Sequence, residues 1–320
     1  MTRLRLAMMG TGAFAVPTFA GLYDTPHDVV ALYTQPARTG RGHHKHVRNP
    51  MVELAEAHGT PVLRPAKVNT PESLDEMADL QLDLLVVAAY GQILSAELLG
   101  TPRLGAVNVH ASLLPKYRGA APVNYAILSG ETETGVTIFQ IEPSLDSGPI
   151  LGMESLTIGT EETAGELEPR LAQLSVPLAQ RVISELAAGT TNPVVQDEAA
   201  ATLAPKMKKE QGAIDWTRSA DEIDWQIRAL QPWPKPFTFW HRTNGKPLRL
   251  VVPHVRKIDA RSAELPGTVL GNDEGRLWIQ TGSDVVEIVE IQPEGKRAMP
   301  AGDFLRGHSV PTGDRFGPLV

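Results

Sequence analysis

Leu84-Leu-Val-Val-Ala-Ala89 is a continuous apolar run, and it decides the class of fold. A strand that is apolar at every position must be buried on both faces, which is typical of a parallel sheet covered by helices on its two sides. Residues 105–110, Gly-Ala-Val-Asn-Val-His, begin in the same way. The two runs predict an α/β fold with a Rossmann-like, largely parallel sheet and helices on both faces.

The alternation of strands and helices extends over the first 190 residues. Strands are predicted at residues 4–9, 29–34, 84–88, 106–110, 136–141 and 150–158, and helices at residues 13–23, 51–58, 71–80, 122–128 and 161–186. The last helix has apolar residues at helical spacing, which predicts a helix packed on the sheet. These residues are Leu167, Leu171, Leu174, Leu178 and Ile183.

A smaller domain is predicted after residue 205. Gly189-Thr-Thr-Asn-Pro193 interrupts the α/β pattern, so residues 190–205 are interpreted as a linker. A short helix is predicted at residues 220–230, and short strands at 248–253, 267–270, 277–281 and 285–291. Short strands separated by turns favour a C-terminal β-barrel-like domain of OB type. The predicted domains are therefore residues 1–189 and 206–320.

Composition and charge exclude several classes of protein. The chain has no cysteine, which excludes a disulfide framework and a cysteine nucleophile, and no apolar run approaches the roughly 20 residues of a membrane span. A strand is predicted almost at the first residue, so we expect no signal peptide and a cytoplasmic location. The net charge of −7 argues against nonspecific coating of nucleic acid. The acidic excess lies in residues 1–204, whereas residues 205–320 have 17 Lys and Arg against 15 Asp and Glu.

Asn108 and His110 form a candidate site at the end of the strand predicted at residues 106–110. Alternate strand residues share a face, so their amide and imidazole groups project into the same space. Asp146, in Ser144-Leu-Asp-Ser-Gly148, offers a carboxylate that could orient the imidazole. This combination indicates an acyl-transfer site without a nucleophile of its own. The alternative is a pair of satisfied polar groups at a strand edge.

Two other motifs have competing interpretations. Gly10-Thr-Gly-Ala-Phe-Ala15 matches the dinucleotide pattern of a nicotinamide dehydrogenase, but the second strand ends in Thr34-Gln-Pro36 without the acid that holds a ribose. A tight strand-to-helix turn is favoured. Residues 34–48 hold four cations, three histidines and no acid, which indicates either a solvated loop or a basic arm that meets phosphates. Adjacent histidines on a glycine-flanked loop do not favour a metal site.

The chain resembles the methionyl-tRNA formyltransferase family, within the formyltetrahydrofolate-dependent transferases, over essentially its full length. The stretches that carry the resemblance are Met9–Ala15, Thr34–Pro36, Ala88–Leu94, Asn108–Pro122, Thr134–Thr137, Leu145–Gly148, Ile214–Trp216, Ile227–Pro234, Gly295–Met299 and Asp303–His308. Departures are minor: Leu230-Gln231 replaces a commoner Phe-Asn, and the basic loop is unusually rich in histidine.

The resemblance implies transfer of a formyl group from 10-formyltetrahydrofolate, without a metal, to the amine of methionine on initiator tRNA. It implies Asn108, His110 and Asp146 as the catalytic residues of domain 1–189. It also implies a folate-contacting turn and a wall around the pterin ring. The turn comprises Ser112, Leu113, Leu114 and Pro115, and the wall Tyr90, Gly91, Gln92 and Ile93.

The resemblance also suggests a mechanism, which we state as a hypothesis. The substrate amine is the nucleophile, and its attack on the formyl carbon creates an oxyanion. Asn108 and protonated His110 donate hydrogen bonds to this oxyanion. Asp146 orients His110, stabilises its charged form and relays a proton to folate N10. Seven cations are expected to contact the tRNA. The acceptor end of the tRNA is expected to be bound by Arg38, Arg41, Lys45 and Arg48. The phosphate backbone further along the tRNA is expected to be bound by Lys206, Lys208 and Lys209 of the β-rich domain.

Two alternatives to this function stay open at the level of sequence. One is a formyltransferase that acts on a sugar-nucleotide amine or a purine precursor, because its active block is nearly the same. The other is a non-catalytic module that binds folate or RNA on the same fold. The basic loop and Pro232-Trp-Pro234 favour tRNA as the partner, and a monomer is expected.

Overall fold

The computed structural model describes residues 2–36, 49–242, 245–260, 262–271 and 275–318. The chain divides into two compact units. The first unit comprises Met1–Pro122, Glu133–Thr157 and Glu168–Ala204, and the second comprises Val123–Thr132, Ile158–Leu167 and Pro205–Val320. The segment predicted as a linker, residues 190–205, lies in the first unit for all but its last residue. Within the described ranges, every helix is too short or too polar to traverse a bilayer.

Among the residues that the structure describes, nine strands belong to the first unit. They are β1 (Arg5–Gly10), β2 (Asp28–Tyr33), β3 (Val62–Leu63), β4 (Leu84–Ala88), β5 (Ala106–His110), β6 (Arg118–Gly119), β7 (Glu133–Gln140), β8 (Ile150–Thr157) and β9 (Leu203–Ala204). Seven of them form one sheet in the order β3-β2-β1-β4-β5-β7-β8, and β6 pairs with β9. The first five run parallel, whereas β7 is antiparallel to both of its neighbours. The prediction of a largely parallel α/β sheet is confirmed.

In the described part of the chain, six α-helices lie between β1 and β9 in sequence. They are α1 (Ala15–Tyr23), α2 (Pro50–Ala57), α3 (Pro71–Asp79), α4 (Ala96–Leu99), α5 (Pro122–Leu128) and α6 (Ala164–Ala188). Strand β1 is fully buried from Leu6 to Met9, and its neighbour β4 along its whole length, because helices cover both faces of the sheet. Helix α6 packs on β8, since a Cβ at Gly152 would lie 2.9 Å from Val182 and 3.0 Å from Leu178.

The turn after β1 requires a glycine at position 10. A Cβ at Gly10 would lie 2.7 Å from the ring of Phe19 and 2.9 Å from the carbonyl oxygen of Ala88. Only glycine allows the backbone to approach β4 and α1 so closely. The structure therefore agrees with the interpretation of residues 10–15 as a tight strand-to-helix turn.

The second unit contains a nearly closed antiparallel barrel. Its elements are α7 (Ala220–Ala229), β10 (Phe237–His241), β11 (Leu248–Ile258), β12 (Val269–Gly271), β13 (Leu277–Gln280), β14 (Val285–Pro293), β15 (Met299–Pro300), α8 (Ala301–Gly307) and β16 (Arg315–Gly317). The sheet order is β12-β13-β14-β11-β10-β16, and a bridge between Thr268 and Arg315 joins its two ends. The prediction of a C-terminal barrel-like domain is confirmed, although β10, β15, β16 and α8 were not predicted.

Candidate active site

Strand β5 places Asn108 and His110 side by side at one edge of the sheet. Asn108 lies opposite Val87 of β4 and Phe139 of β7, and His110 lies opposite Thr137 of β7. The two residues are two positions apart on a regular strand, so they share a face, as the sequence predicts. Asn108 is half-buried and His110 is 5% exposed. The pair is thus shielded from bulk water but reachable from the sheet edge.

A short segment, residues 117–119, holds both partners of the candidate catalytic pair through its backbone. The His110 Nε2 atom lies 2.9 Å from the carbonyl oxygen of Tyr117. Because a carbonyl oxygen can only accept, Nε2 carries the proton, and Nδ1 of the neutral ring is left as an acceptor. Two residues later, the Gly119 N–H donates to Asp146 Oδ2 at 2.7 Å. This backbone therefore sets both the tautomer of the ring and the position of the carboxylate.

Asp146 faces the other nitrogen of the His110 ring. The distance between His110 Nδ1 and Asp146 Oδ2 is 3.8 Å, which is longer than a hydrogen bond. The hydrogen bond that the structure gives the ring is the one to the Tyr117 carbonyl. The predicted role of Asp146 in orienting the ring stays a prediction, and the charge of Asp146 raises the pKa of His110.

Burial governs the protonation of His110. The loss of solvent around the ring lowers the pKa of His110 below its ordinary value, and the Asp146 charge and the Tyr117 hydrogen bond oppose this shift only in part. The ring is therefore neutral in the resting site at pH 7. This differs from the hypothesis of a protonated His110 donor, because a neutral Nδ1 must first take up a proton before it can donate one.

We expect an NMR titration of the histidine ring to give His110 a pKa below 6.5. In Asp146→Asn, the pKa is expected to fall further, since the carboxylate charge is the interaction that favours the imidazolium form. A His110→Gln variant identifies the resonance among the nine histidines of the chain. A pKa at or above 6.5, or a rise in the variant, would contradict this account of the site.

The turn that follows β5 is built from its own polar groups. The Thr137 hydroxyl donates to the carbonyl of Ser112 at 2.6 Å and accepts from the Leu114 N–H at 3.1 Å, and the Ser112 hydroxyl donates to the carbonyl of Lys116 at 2.6 Å. Ser112 and Leu114 are buried, whereas Leu113 and Pro115 are half-buried. The predicted folate turn therefore lies next to His110, and the side chains of Leu113 and Pro115 are its accessible part.

The loop after β4 lies at the same sheet edge, because β4 and β5 are parallel neighbours. Gln92 fixes this loop by accepting from the Val68 N–H at 2.9 Å and donating to the carbonyl of Pro65 at 3.2 Å. Tyr90 is buried, Gly91 is exposed, and Ile93 is 85% exposed. The predicted pterin wall thus presents an exposed apolar side chain on a loop at the sheet edge that carries the candidate catalytic residues.

The predicted tRNA contacts fall into two groups. Arg38, Arg41, Lys45 and Arg48, with the neighbouring histidines, lie outside the described residues. Lys206, Lys208 and Lys209 lie in the second unit and are exposed on either side of the buried Met207. None of these three lysines forms an ion pair with a residue that the structure describes. The three lysines are therefore surface cations that no described acidic residue neutralises.

The sequence interpretation missed a buried polar group behind Asp146. Gln196 is 5% exposed and donates from Nε2 to the carbonyls of Asp146, at 2.9 Å, and Gly148, at 2.8 Å. It lies in the segment interpreted as a linker, where Gln-Asp-Glu is typical of a solvated chain. The only local signal was the exposed-polar composition of that segment, which does not distinguish a buried glutamine.

Comparison with known proteins adds a second line of evidence. Residues 4–183 match the formyl transferase family, and residues 206–309 match the formyl transferase C-terminal domain. The chain is 42% identical to a methionyl-tRNA formyltransferase from Citrifermentans bemidjiense over 318 residues, which cover 99% of this chain and 98% of that protein.

Two solved structures share the fold at low sequence identity. One is an N-formyltransferase from Helicobacter canadensis in complex with folinic acid and dTDP-3-aminofucose, with a TM-score of 0.65 and 18% identity over 89% of this chain and 99% of that chain. The other is HypX from Aquifex aeolicus in complex with tetrahydrofolic acid, with a TM-score of 0.60 and 15% identity. The alignment covers 95% of this chain but 47% of HypX.

Proposed function

The chain belongs to the methionyl-tRNA formyltransferase family, and from this premise we propose that Asn108, His110 and Asp146 carry the transfer of a formyl group to the amine of methionine on initiator tRNA. We further propose 10-formyltetrahydrofolate as the formyl donor. The observation that supports the catalytic assignment best is the meeting of one amide, one imidazole with a free Nδ1 and one carboxylate at a single sheet edge. The 42% identity to a methionyl-tRNA formyltransferase over 99% of this chain supports tRNA as the carrier of the acceptor amine.

The first step forms a bond between the substrate nitrogen and the formyl carbon. The methionyl amine is itself the nucleophile, which agrees with a chain that has no cysteine and with a Ser112 hydroxyl engaged by the Lys116 carbonyl. As the bond forms, the carbonyl electron pair moves onto the formyl oxygen. The Asn108 amide donates a hydrogen bond to this oxygen, and such a donor stabilises a developing oxyanion because it is in place beforehand.

The second step moves one proton and breaks one bond. His110 Nδ1, neutral in the resting site, accepts the proton that the attacking amine must lose, and the Asp146 charge 3.8 Å away stabilises the resulting imidazolium. The imidazolium then donates toward the oxyanion and delivers the proton to folate N10 as the carbon–N10 bond breaks. The proton lost by the amine is the one gained by N10, so the site returns to its starting state.

The folate site is proposed from two loops at the edge that carries His110. The 85% exposed side chain of Ile93 offers an apolar surface that a flat pterin ring can cover, which fits an aromatic ligand better than a polar one. The loop is held in place by Gln92 rather than by a ligand. Leu113 and Pro115 would bound the opposite side, and the buried Ser112 and Leu114 would support the turn.

The tRNA surface is proposed to extend beyond the predicted lysines of the second unit. Lys208 and Lys209 lead into Gly212, which packs on the ring of Phe237, where a Cβ would lie 3.1 Å away. The Arg249 guanidinium lies 4.2 Å from the centre of the same ring, and the exposed Lys235 is two residues from it. Arg249 covers this half-buried ring, and the lysines lie within a few residues of its contacts, so we infer a local basic patch in an acidic protein.

We expect Lys206→Gln/Lys208→Gln/Lys209→Gln to weaken initiator tRNA binding and to flatten its salt dependence. Each phosphate contact contributes about 0.7–0.9 to the slope of log Kd against log salt, so the slope should fall by about 2–3. Filter binding at several salt concentrations measures both quantities. The matched control removes Arg256, Lys257 and Arg306, three cations of the same unit that are ion-paired with acids. Equal slopes for the two variants would contradict the assignment.

A competition assay tests the proposed function as a whole. The enzyme is given 10-formyltetrahydrofolate with a labelled formyl group, together with charged initiator tRNA and an amino-sugar nucleotide. We expect the label in the methionyl-tRNA fraction. Label in the sugar nucleotide alone, or in a purine precursor supplied in a third arm, would overturn the assignment of the acceptor. The absence of transfer to every acceptor would overturn the assignment of the reaction.

A further inference from the structure

Asp146 has a backbone conformation that needs external support. Its φ of 47° lies in the left-handed region, which non-glycine residues rarely adopt and which costs energy. The residue is half-buried on the loop between β7 and β8, and its carboxylate must stay near His110 Nδ1 for the proposed chemistry. A contact that fixes this loop therefore has a direct effect on the site.

Gln196 supplies that contact from the segment before the second unit. Its Nε2 donates to the carbonyl of Asp146 at 2.9 Å and to the carbonyl of Gly148 at 2.8 Å. Both N–H groups of the amide are thus used on the backbone of one loop. Since Gln196 is 5% exposed, water does not compete for these bonds.

Arg118 fixes the direction of the Gln196 amide. The Gln196 Oε1 atom accepts from Arg118 Nε at 3.1 Å and from an Arg118 terminal nitrogen at 2.8 Å. The buried guanidinium also forms two hydrogen bonds to the Glu198 carboxylate, at 2.8 and 2.9 Å. Because the oxygen must face the guanidinium, the amide nitrogen must face the two carbonyls.

The same segment also holds the backbone that contacts the candidate catalytic pair. The Tyr117 N–H donates to the Thr202 hydroxyl at 2.8 Å, and the Arg118 N–H donates to the Thr202 carbonyl at 2.9 Å. A Cβ at Gly119 would lie 2.6 Å from the Ala204 oxygen, so the segments around Gly119 and Ala204 are in close contact. Residues 196–204 therefore support residues 117–119 on one side and the Asp146 loop on the other.

We propose that Gln196 is a positioning residue for formyl transfer, which holds the Asp146 carboxylate beside His110 and is itself held by Arg118 and Glu198. This inference rests on the proposed function, because it acts through Asp146 and His110. It assigns a role in the chemistry to a glutamine outside the predicted catalytic residues.

Two substitutions separate the donor role of Gln196 from its packing. Gln196→Leu removes both hydrogen-bonding ends, whereas Gln196→Glu keeps an oxygen for Arg118 but loses the donors to the Asp146 loop. Both are expected to lower kcat by about 10- to 100-fold, because small misplacements of reacting groups have effects of this order, with KM for methionyl-tRNA and folate within about 2-fold. A near-normal kcat in the folded Gln196→Glu variant would overturn the proposal.

A matched control comes from a second buried glutamine. Gln226 is 8% exposed and donates from Nε2 to the carbonyls of Gln211 and Ala213, both at 2.9 Å, in the second unit. Gln226→Leu is expected to lower the thermal stability but to leave kcat unchanged. A loss of kcat equal to that of Gln196→Leu would mean that the effect is one of general stability, and it would overturn the positioning role.

A double-mutant cycle then tests the route through Asp146. If Gln196 acts by placing the carboxylate, Gln196→Leu should change kcat by less than about 2-fold in an Asp146→Asn background, since coupled residues are non-additive. Single-turnover formylation of methionyl-tRNA measures both backgrounds. The full 10- to 100-fold loss in that background would overturn the inference. Lack of turnover in the wild-type enzyme would instead contradict the proposed function.

Discussion

Asn108→Ala is expected to lower kcat by about 10²–10³-fold, while KM for folate and methionyl-tRNA changes little. The reason is that the amide acts on the oxyanion, which exists only during the reaction, and removal of a single such donor typically has this effect. Steady-state formylation of charged initiator tRNA measures both parameters. Binding of the folate substrate, measured separately by calorimetry, should be nearly that of the wild type.

The control for this variant is Asn124→Ala in the second unit. Asn124 is half-buried like Asn108, and its Nδ2 donates to the Ala229 carbonyl at 2.7 Å. Its replacement removes an equivalent amide and should reduce stability without a change in kcat. The assignment of Asn108 would fail if Asn108→Ala kept near-normal turnover, or if its loss appeared entirely in KM.

Asp146→Asn is expected to lower kcat by about 10²–10⁴-fold, the usual range for loss of a positioned acid–base function. Asparagine retains an oxygen that can accept from the Gly119 N–H, so the loop contact is preserved while the charge is lost. Without the charge, the imidazolium that forms on His110 loses its nearest stabilising group. Pre-steady-state formylation should show that the chemical step, rather than product release, is slowed.

Asp83→Asn is the matched control for this charge change. Asp83 is half-buried in the same unit and accepts a backbone bond from the Arg5 N–H at 2.8 Å. It precedes β4 and so lies at the sheet edge opposite the candidate site. Its replacement should leave kcat unchanged. Comparable kcat values for Asp83→Asn and Asp146→Asn would rule out a specific role for the Asp146 carboxylate.

The large features of the fold follow from local patterns. The apolar run at β4 and the apolar start of β5 predict a buried, largely parallel sheet, because helices on both sides of such a sheet cover both faces of its strands. Elements with weak patterns were missed. Strand β3 has two residues, and β10 follows the Pro232-Trp-Pro-Lys-Pro236 cluster, which indicates a turn rather than a strand.

The candidate site was predicted in part. Strand periodicity puts Asn108 and His110 on one face, the Ser144–Gly148 motif suggests Asp146 as a carboxylate partner, and the family resemblance adds the folate turn and the pterin wall. Gln196 and its partner Arg118 were not recognised as parts of the site, because their 78-residue separation leaves no local pattern. Contacts of this kind depend on the path of the whole chain.

The amino-acid sequence by itself determined the α/β class, the C-terminal barrel, the shared face of Asn108 and His110, and the family. These features depend on short-range periodicity and on motifs that can be identified in the sequence without the structure. Only the tertiary structure decided which nitrogen of His110 carries the proton, how far Asp146 lies from the ring, and which buried groups hold the loop. Hydrogen bonds and desolvation decide these features, and both arise between residues that are distant in the chain and meet only after folding.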